Sequence, residues 1–351
     1  MPPLGGVGLA YAAGVMSKST FPQLDGPGAT GVGSMPGTDA REAAKTVTGS
    51  LEVLPHLAEL PARGPGADMT GRTLGLLVEL FARVEPSGWR FGDHPGRDTR
   101  RARSWLGEDL DALEEYTQGW TGPLKLQAVG PWTLAAGVEL HKGEKALADP
   151  GAVRDVTGSL IEGLRGHLAE VRRRVPGAQL LLQLDEPSLP AVLAGQVPTA
   201  SGWQRLRAVD RQLAEERLRA VVDELDVPVA VHCCAPNPPL ALLRRAGAAA
   251  VSLDLSLLTE RDDEAVGEGV EDGLVLLAGV VPPLEPGLSD PAGSVSGVRT
   301  LWRRLGLDPA LLPRHVVVTP SCGLAGASPA YARKALSHSV IAARSLADNP
   351  E

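Results

Sequence analysis

The sequence predicts a single α/β domain, a (β/α)8 TIM barrel with a helical insertion after its second strand. Short apolar runs alternate with longer amphipathic runs from residue 30 to the end, the rhythm of repeated βα units. The apolar runs carry apolar residues at nearly every position, as strands do when both faces of a parallel sheet are covered. No Gly-rich G-x-G-x-x-G loop follows the first run, which disfavours a doubly wound open sheet.

Taken in order, the strands are expected at 31–34, 55–60, 124–129, 179–184, 227–232, 249–253, 274–280 and 315–319. Helices are expected at 39–51, 69–84, 108–117, 149–175, 209–225, 238–246, 261–271, 297–305 and 328–346. Asp39, Asp149 and Ser328 supply side-chain oxygens where helices begin, the place for an N-cap. The interval 60–124 holds more than one helix and reads as the insertion. Residues 22–351 form the barrel. Residues 1–21 are small and apolar, with no charge before Lys18, and read as a disordered extension. A secretory signal would place positive charge ahead of its apolar core.

Composition narrows the function. The 351 residues carry 34 basic and 42 acidic side chains, a net charge of −8, with no long basic run; neither nucleic acid nor membrane is expected as a partner. No stretch approaches the ~20 apolar residues of a membrane span. There are 3 cysteines, two of them adjacent, so no disulfide framework is implied and a cytoplasmic location is expected.

Chemistry-bearing residues gather where the apolar runs end, and in a barrel those ends line the active face. The run Val229-Ala230-Val231-His232-Cys233-Cys234 closes on two soft metal-ligand types. Residues two apart on a strand share a face, so His232 and Cys234 point together and Cys233 points away. Alone the pair reads equally as a buried thiol beside a satisfied histidine. With Cys322 and Asp254, each at another strand end, it becomes one His, two Cys and one carboxylate, a donor set suited to zinc. Ser34, Glu59 and Asp185 also fall at strand ends.

These residues stand in motifs that resemble the catalytic barrel of cobalamin-independent methionine synthase. The motifs are Val32-Gly33-Ser34-Met35-Pro36, Glu59-Leu60-Pro61 with Asp68-Met69, Gly130-Pro131-Trp132-Thr133, Gln183-Leu184-Asp185-Glu186-Pro187-Ser188, His232-Cys233-Cys234, and Cys322-Gly323-Leu324. They occur in the family's order and cover nearly the whole barrel. The resemblance implies zinc held by His232, Cys234, Asp254 and Cys322, the last three supplying negative charge. It implies homocysteine held by Ser34, Glu59 and Asp185, with Glu186 an alternative to Asp185, and methyl transfer to the homocysteine thiol to give methionine. Coordination to zinc deprotonates a thiol near neutral pH and makes it a nucleophile.

The chain departs from the pattern in places. It holds one barrel where the folate-dependent enzyme has two. Gly137 stands where the family has a folate-stacking Trp, Ala230 where it has a His, and the acidic ligand is Asp rather than Glu. The methyl donor is therefore open between a methyl-folate and a methylated corrinoid protein. Competing readings are a corrinoid-linked methyltransferase with another thiol acceptor, a metal-free decarboxylase on the same barrel, and a non-catalytic zinc-binding module.

Overall fold

The computed structural model describes residues 20–351. Strand β1 (Gly28–Ala29) leads to helix α1 (Ala40–Ser50), whose cap is the expected Asp39, accepting the backbone N–H of Arg41 at 2.9 Å and of Glu42 at 3.1 Å. There follow α2 (Met69–Leu76), strands β2 (Phe81–Glu85) and β3 (Gly88–Gly92), and α3 (Arg97–Tyr116). From there strand and helix alternate. The order is β4 (Pro123–Val129), α4 (Pro131–Gly137), α5 (Pro150–Arg174), β5 (Gln179–Asp185), α6 (Leu189–Leu193), α7 (Arg211–Glu224), β6 (Val229–His232), α8 (Leu240–Arg245) and β7 (Ala250–Asp254). The chain then continues through α9 (Asp263–Glu271), β8 (Val275–Val281), α10 (Pro291–Ser294), α11 (Ser296–Leu305), α12 (Leu312–His315), β9 (Val316–Pro320) and α13 (Pro329–Asp348). Asp149 and Ser328 cap α5 and α13 as expected.

Seven strands form one parallel sheet in the order β1-β9-β8-β7-β6-β5-β4, while β2 and β3 pair antiparallel on their own. The strand expected at 55–60 is not regular. Pro55 and Pro61 bound it and offer no N–H for a ladder. It nevertheless touches both ends of the sheet through isolated parallel bridges, His56 with Lys125 of β4 and Glu59 with Ser34 beyond β1. Leu57 donates its N–H to the Lys125 carbonyl at 3.0 Å, and Glu59 donates to Gly33 at 3.1 Å. One short segment thus reaches both edges, and the sheet curls round on itself.

The expected insertion differs in kind. The helix predicted over 69–84 stops at Leu76, and Phe81–Glu85 instead pairs with Gly88–Gly92. Gly88, at φ 125°, opens β3 directly after the two-residue turn, with a backbone conformation that favours glycine.

Alternation along the strands sorts side chains between two cores. Leu124, Leu126, Leu182, Leu184, Val231, Leu253, Leu276 and Val318 face the helices in the main cluster. Leu181, Ala230, Ala250, Leu277 and Val317 face inward and pack with Phe21 and Leu54 in a second cluster. Residues 1–19 of the expected extension 1–21 lie outside the described residues, and Phe21 is part of this inner packing. On the same inward face, further along each strand, stand Lys125, Gln127, Gln183, Asp185, His232, Ser252 and Thr319, all buried. The sheet interior is therefore apolar at its N-terminal end and polar at its C-terminal end. Among the described residues no helix is long and apolar enough to cross a membrane.

Candidate active site

The parallel register sets the site. Asp185 closes β5 beside His232 of β6, His232 stands beside Ser252 of β7, and Asp254 ends β7 beside Gly279 of β8. Cys234 lies just past β6 and Cys322 just past β9.

The two cysteines meet. Interaction with Cys234 holds the Cys322 thiol down at about 6, while the same interaction, with burial, pushes Cys234 up. Cys233 faces the other way, buried, with burial raising its thiol to about 11. His232 is buried, its Nδ1 2.9 Å from the Ser252 hydroxyl. Burial, helped by the nearby Lys125 charge, lowers it to about 3, so the ring is neutral and offers a lone pair. Asp254 lies close enough to oppose the Cys322 thiolate, but its Oδ1 accepts the Ser256 N–H at 3.0 Å and the Ser256 hydroxyl at 2.6 Å, closing the turn Leu255–Leu257.

Among the described residues no group of three or more His, Cys, Asp or Glu side chains stands in metal-holding geometry. Of the expected ligand quartet, then, two sulfurs are brought together, with His232 on the same strand end and Asp254 turned to its own loop. Two neighbouring cysteine sulfurs with a neutral imidazole nearby are donor chemistry that suits zinc.

Ser34 and Glu59 are bridged to each other, and Ser34 adjoins the Cys322 loop. Leu324 donates its N–H to the Ser34 carbonyl at 2.8 Å. A Cβ on Gly323 would lie 2.0 Å from the Ser34 hydroxyl, so glycine lets that hydroxyl keep its position against the Cys322 loop. Glu59 is buried, and its Oε1 has no hydrogen-bond partner. Burial raises its carboxyl against the pull of Arg72 and Lys125. Asp185 is raised well above the usual range, by burial first and by the Glu59 charge second.

Glu186 does not serve the pocket. Its Oε1 accepts the Trp132 N–H at 2.9 Å, and its Oε2 accepts the Thr133 N–H and hydroxyl, each at 2.8 Å. It holds the first turn of α4 against the end of β5. Trp132, beneath it, is a core residue, 1% exposed, with its indole N–H on the Ala214 carbonyl at 3.0 Å.

Sequence reasoning missed the polar floor. The Lys125 ammonium donates to the Val32 carbonyl at 2.9 Å and to Gln183 Oε1 at 2.7 Å. Gln183 Nε2 in turn donates to Val32 O at 2.9 Å and to Asp185 Oδ1 at 2.7 Å. Gln127 donates to the Leu57 carbonyl. Arg72, buried, bonds the Ala58 carbonyl at 3.2 Å and Asp109 at 2.6 Å, propping the Glu59 segment from behind. The available signal was the alternation Lys125-x-Gln127 within an otherwise apolar run.

Comparison with known proteins gives this geometry a context. The family model described as cobalamin-independent synthase, catalytic domain, matches residues 27–345. The structure of a B12-independent methionine synthase from Shewanella sp. W3-18-1 in complex with selenomethionine superposes with a TM-score of 0.59 over 91% of this chain and 97% of that one, at 11% identity, a likeness of fold. A Cellulomonas fimi endo-β-1,4-mannanase double mutant aligns over 62% of this chain and 53% of its own, at 15% identity and a TM-score of 0.38, too low to bear on the fold. No curated protein matches the chain.

Proposed function

Because the chain belongs to the family of cobalamin-independent synthase catalytic domains, we propose that it transfers a methyl group to the thiol of homocysteine to give methionine, with zinc as its metal. The observation that carries this reading is the contact between Cys234 and Cys322, two sulfurs from opposite parts of the chain that come together at the mouth of the sheet. The methionine synthase of similar fold was solved with selenomethionine, an analogue of the product proposed here. We take segment 55–60 as the eighth stave of a closed barrel, a reading supported by its bridges to both sheet edges.

In this reading His232, Cys234, Asp254 and Cys322 hold the metal, and Asp254 joins by releasing Ser256. Zinc, when bound, supplies the Lewis acidity that keeps an acceptor thiol deprotonated. The residues of the chain do the rest. Cys234 and Cys322 would bind the metal as thiolates, each giving up its proton, and His232 stays neutral, steadied by Ser252. Glu59 and Asp185 receive the acceptor's ammonium, and Ser34 with backbone N–H groups receives its carboxylate. The acceptor is thereby fixed at both ends with its sulfur turned to the methyl donor. The donor's bond to the methyl carbon breaks as the carbon–sulfur bond forms, and the donor leaves with the electron pair. A methyl-folate and a methylated corrinoid protein both meet that requirement.

The test incubates zinc-loaded protein and homocysteine with methylcobalamin and with methyl-tetrahydrofolate mono- and polyglutamates, and follows methionine. Cys322→Ser is expected to lower bound zinc, measured by elemental analysis, and to abolish methyl transfer. Full activity of that variant without metal would refute the reading.

A further inference from the structure

Lys125 is a full positive charge with no exposed surface, and the mechanism above gives it no task. Burying an ammonium costs several kcal/mol unless its surroundings answer it. What answers it here is a chain of hydrogen bonds that runs to the amino-acid pocket. Two of the donors on Nζ go to the Val32 carbonyl and to Gln183 Oε1. With its oxygen turned to the ammonium, the Gln183 amide must turn its NH2 the other way, onto Val32 O and Asp185 Oδ1. A primary amide can sit in either of two orientations, and the lysine decides which. Among the described residues Lys125 makes no direct ion pair with Glu59 or Asp185, although both feel its charge. Arg72 also acts on Glu59 but spends its hydrogen bonds on Ala58 and Asp109, and Glu59 Oε1 has no partner. The pocket therefore keeps an acceptor free for an incoming donor.

We propose that Lys125 is a positioning residue that makes the pocket selective for an acceptor with a free α-ammonium. It locks the Gln183 amide against Asp185 Oδ1, which leaves Asp185 Oδ2 and Glu59 Oε1 to take the incoming cation. The inference rests on the pocket being the amino-acid site proposed above. Without the lysine, the amide is free to turn its oxygen toward Asp185, and the carboxylate loses both its donor and its orientation.

The experiment measures binding by calorimetry to zinc-loaded protein, with two ligands: L-methionine and 4-(methylsulfanyl)butanoate, which is the same molecule without the amine. Wild type is expected to prefer methionine by about 10- to 100-fold, the value of charge-assisted hydrogen bonds to the ammonium. Lys125→Met and Gln183→Met are each expected to reduce that preference about tenfold, with the affinity for the deaminated ligand held within about twofold. A merely structural lysine would weaken both ligands together or neither, and either result overturns the proposal. If Lys125→Met fails to fold, Gln183→Met and Gln183→Glu carry the test, since neither presents an N–H to Asp185 while Lys125 is retained. A wild type that discriminates while these variants discriminate equally overturns the role of Lys125 alone. A wild type without any preference for methionine overturns the amino-acid site itself, and this inference with it.

Discussion

Glu59 is buried with one carboxylate oxygen unanswered, and an unsatisfied buried acceptor costs about 1–3 kcal/mol. A protein retains such a group where a ligand completes it. Glu59→Gln keeps the shape and removes the charge. It is expected to weaken homocysteine or methionine binding about 10- to 100-fold while leaving metal content unchanged, checked by calorimetry alongside elemental analysis. Unchanged affinity would take Glu59 out of the clamp. At this scale the sequence was readable wherever a chemistry-bearing residue closed an apolar run, as Ser34, Glu59, Asp185, His232 and Cys322 do. It was less readable within a run. Lys125, Gln127 and Gln183 sit inside strands otherwise built for burial, and the alternation Lys125-x-Gln127 marks one face without saying whether that face turns inward. Asp185 and Glu186 looked interchangeable as neighbours. One step along a strand reverses the face, and so the first enters the pocket while the second caps α4.

Elements depart from expectation where local pattern and tertiary contact disagree. Helix α2 was expected to run on to residue 84, because the apolar spacing beyond Leu76 suits a helix as well as a strand. It ends at Leu76, where α5 crosses it. Gly163 of α5 comes so close that a Cβ there would lie 2.3 Å from the Leu76 carbonyl oxygen. The terminal carbonyl of α2 thus meets the backbone of α5. Alanine is a better helix former than glycine by about 1 kcal/mol, so propensity alone predicts that Gly163→Ala stabilises the protein. Overpacking against rigid backbone costs about 1–3 kcal/mol and acts in the opposite direction. The expected outcome is a lower midpoint in urea unfolding. A raised midpoint would show that α5 can slide away from α2 without loss. The apolar run at 55–60 made the segment legible as one that meets the sheet, but not its irregularity, since two prolines at its ends restrict a ladder that the hydrophobic pattern still permits.

At the scale of the molecule, the curled sheet encloses polar groups that most proteins keep near water, and this makes stability depend on pH. His56, inside the sheet beside Gly31, and His167, on the buried face of α5, are each lowered to about 3. The first cause is burial in both cases. The second is a nearby cation, Lys125 for His56 and Arg72 for His167. In the unfolded chain each would titrate near 6.5. Between pH 6.5 and pH 3 the unfolded chain therefore binds protons that the folded one refuses. The stability these groups contribute is complete above pH 6.5 and is lost as the pH falls through that window, at about 1.4 kcal/mol per pH unit for each histidine. His167 lies well away from the sulfur pair and serves as the test. In His167→Leu the decline of unfolding free energy from pH 6.5 to pH 5 is expected to be shallower than in wild type by about 1.1 kcal/mol per pH unit, measured by urea titration at each pH. The substituted protein should consequently overtake or approach the wild type in acid even if it is the weaker of the two at pH 7. An unchanged slope would mean that His167 reaches solvent and charges without unfolding, and that the α2–α5 interface opens more readily than its packing implies.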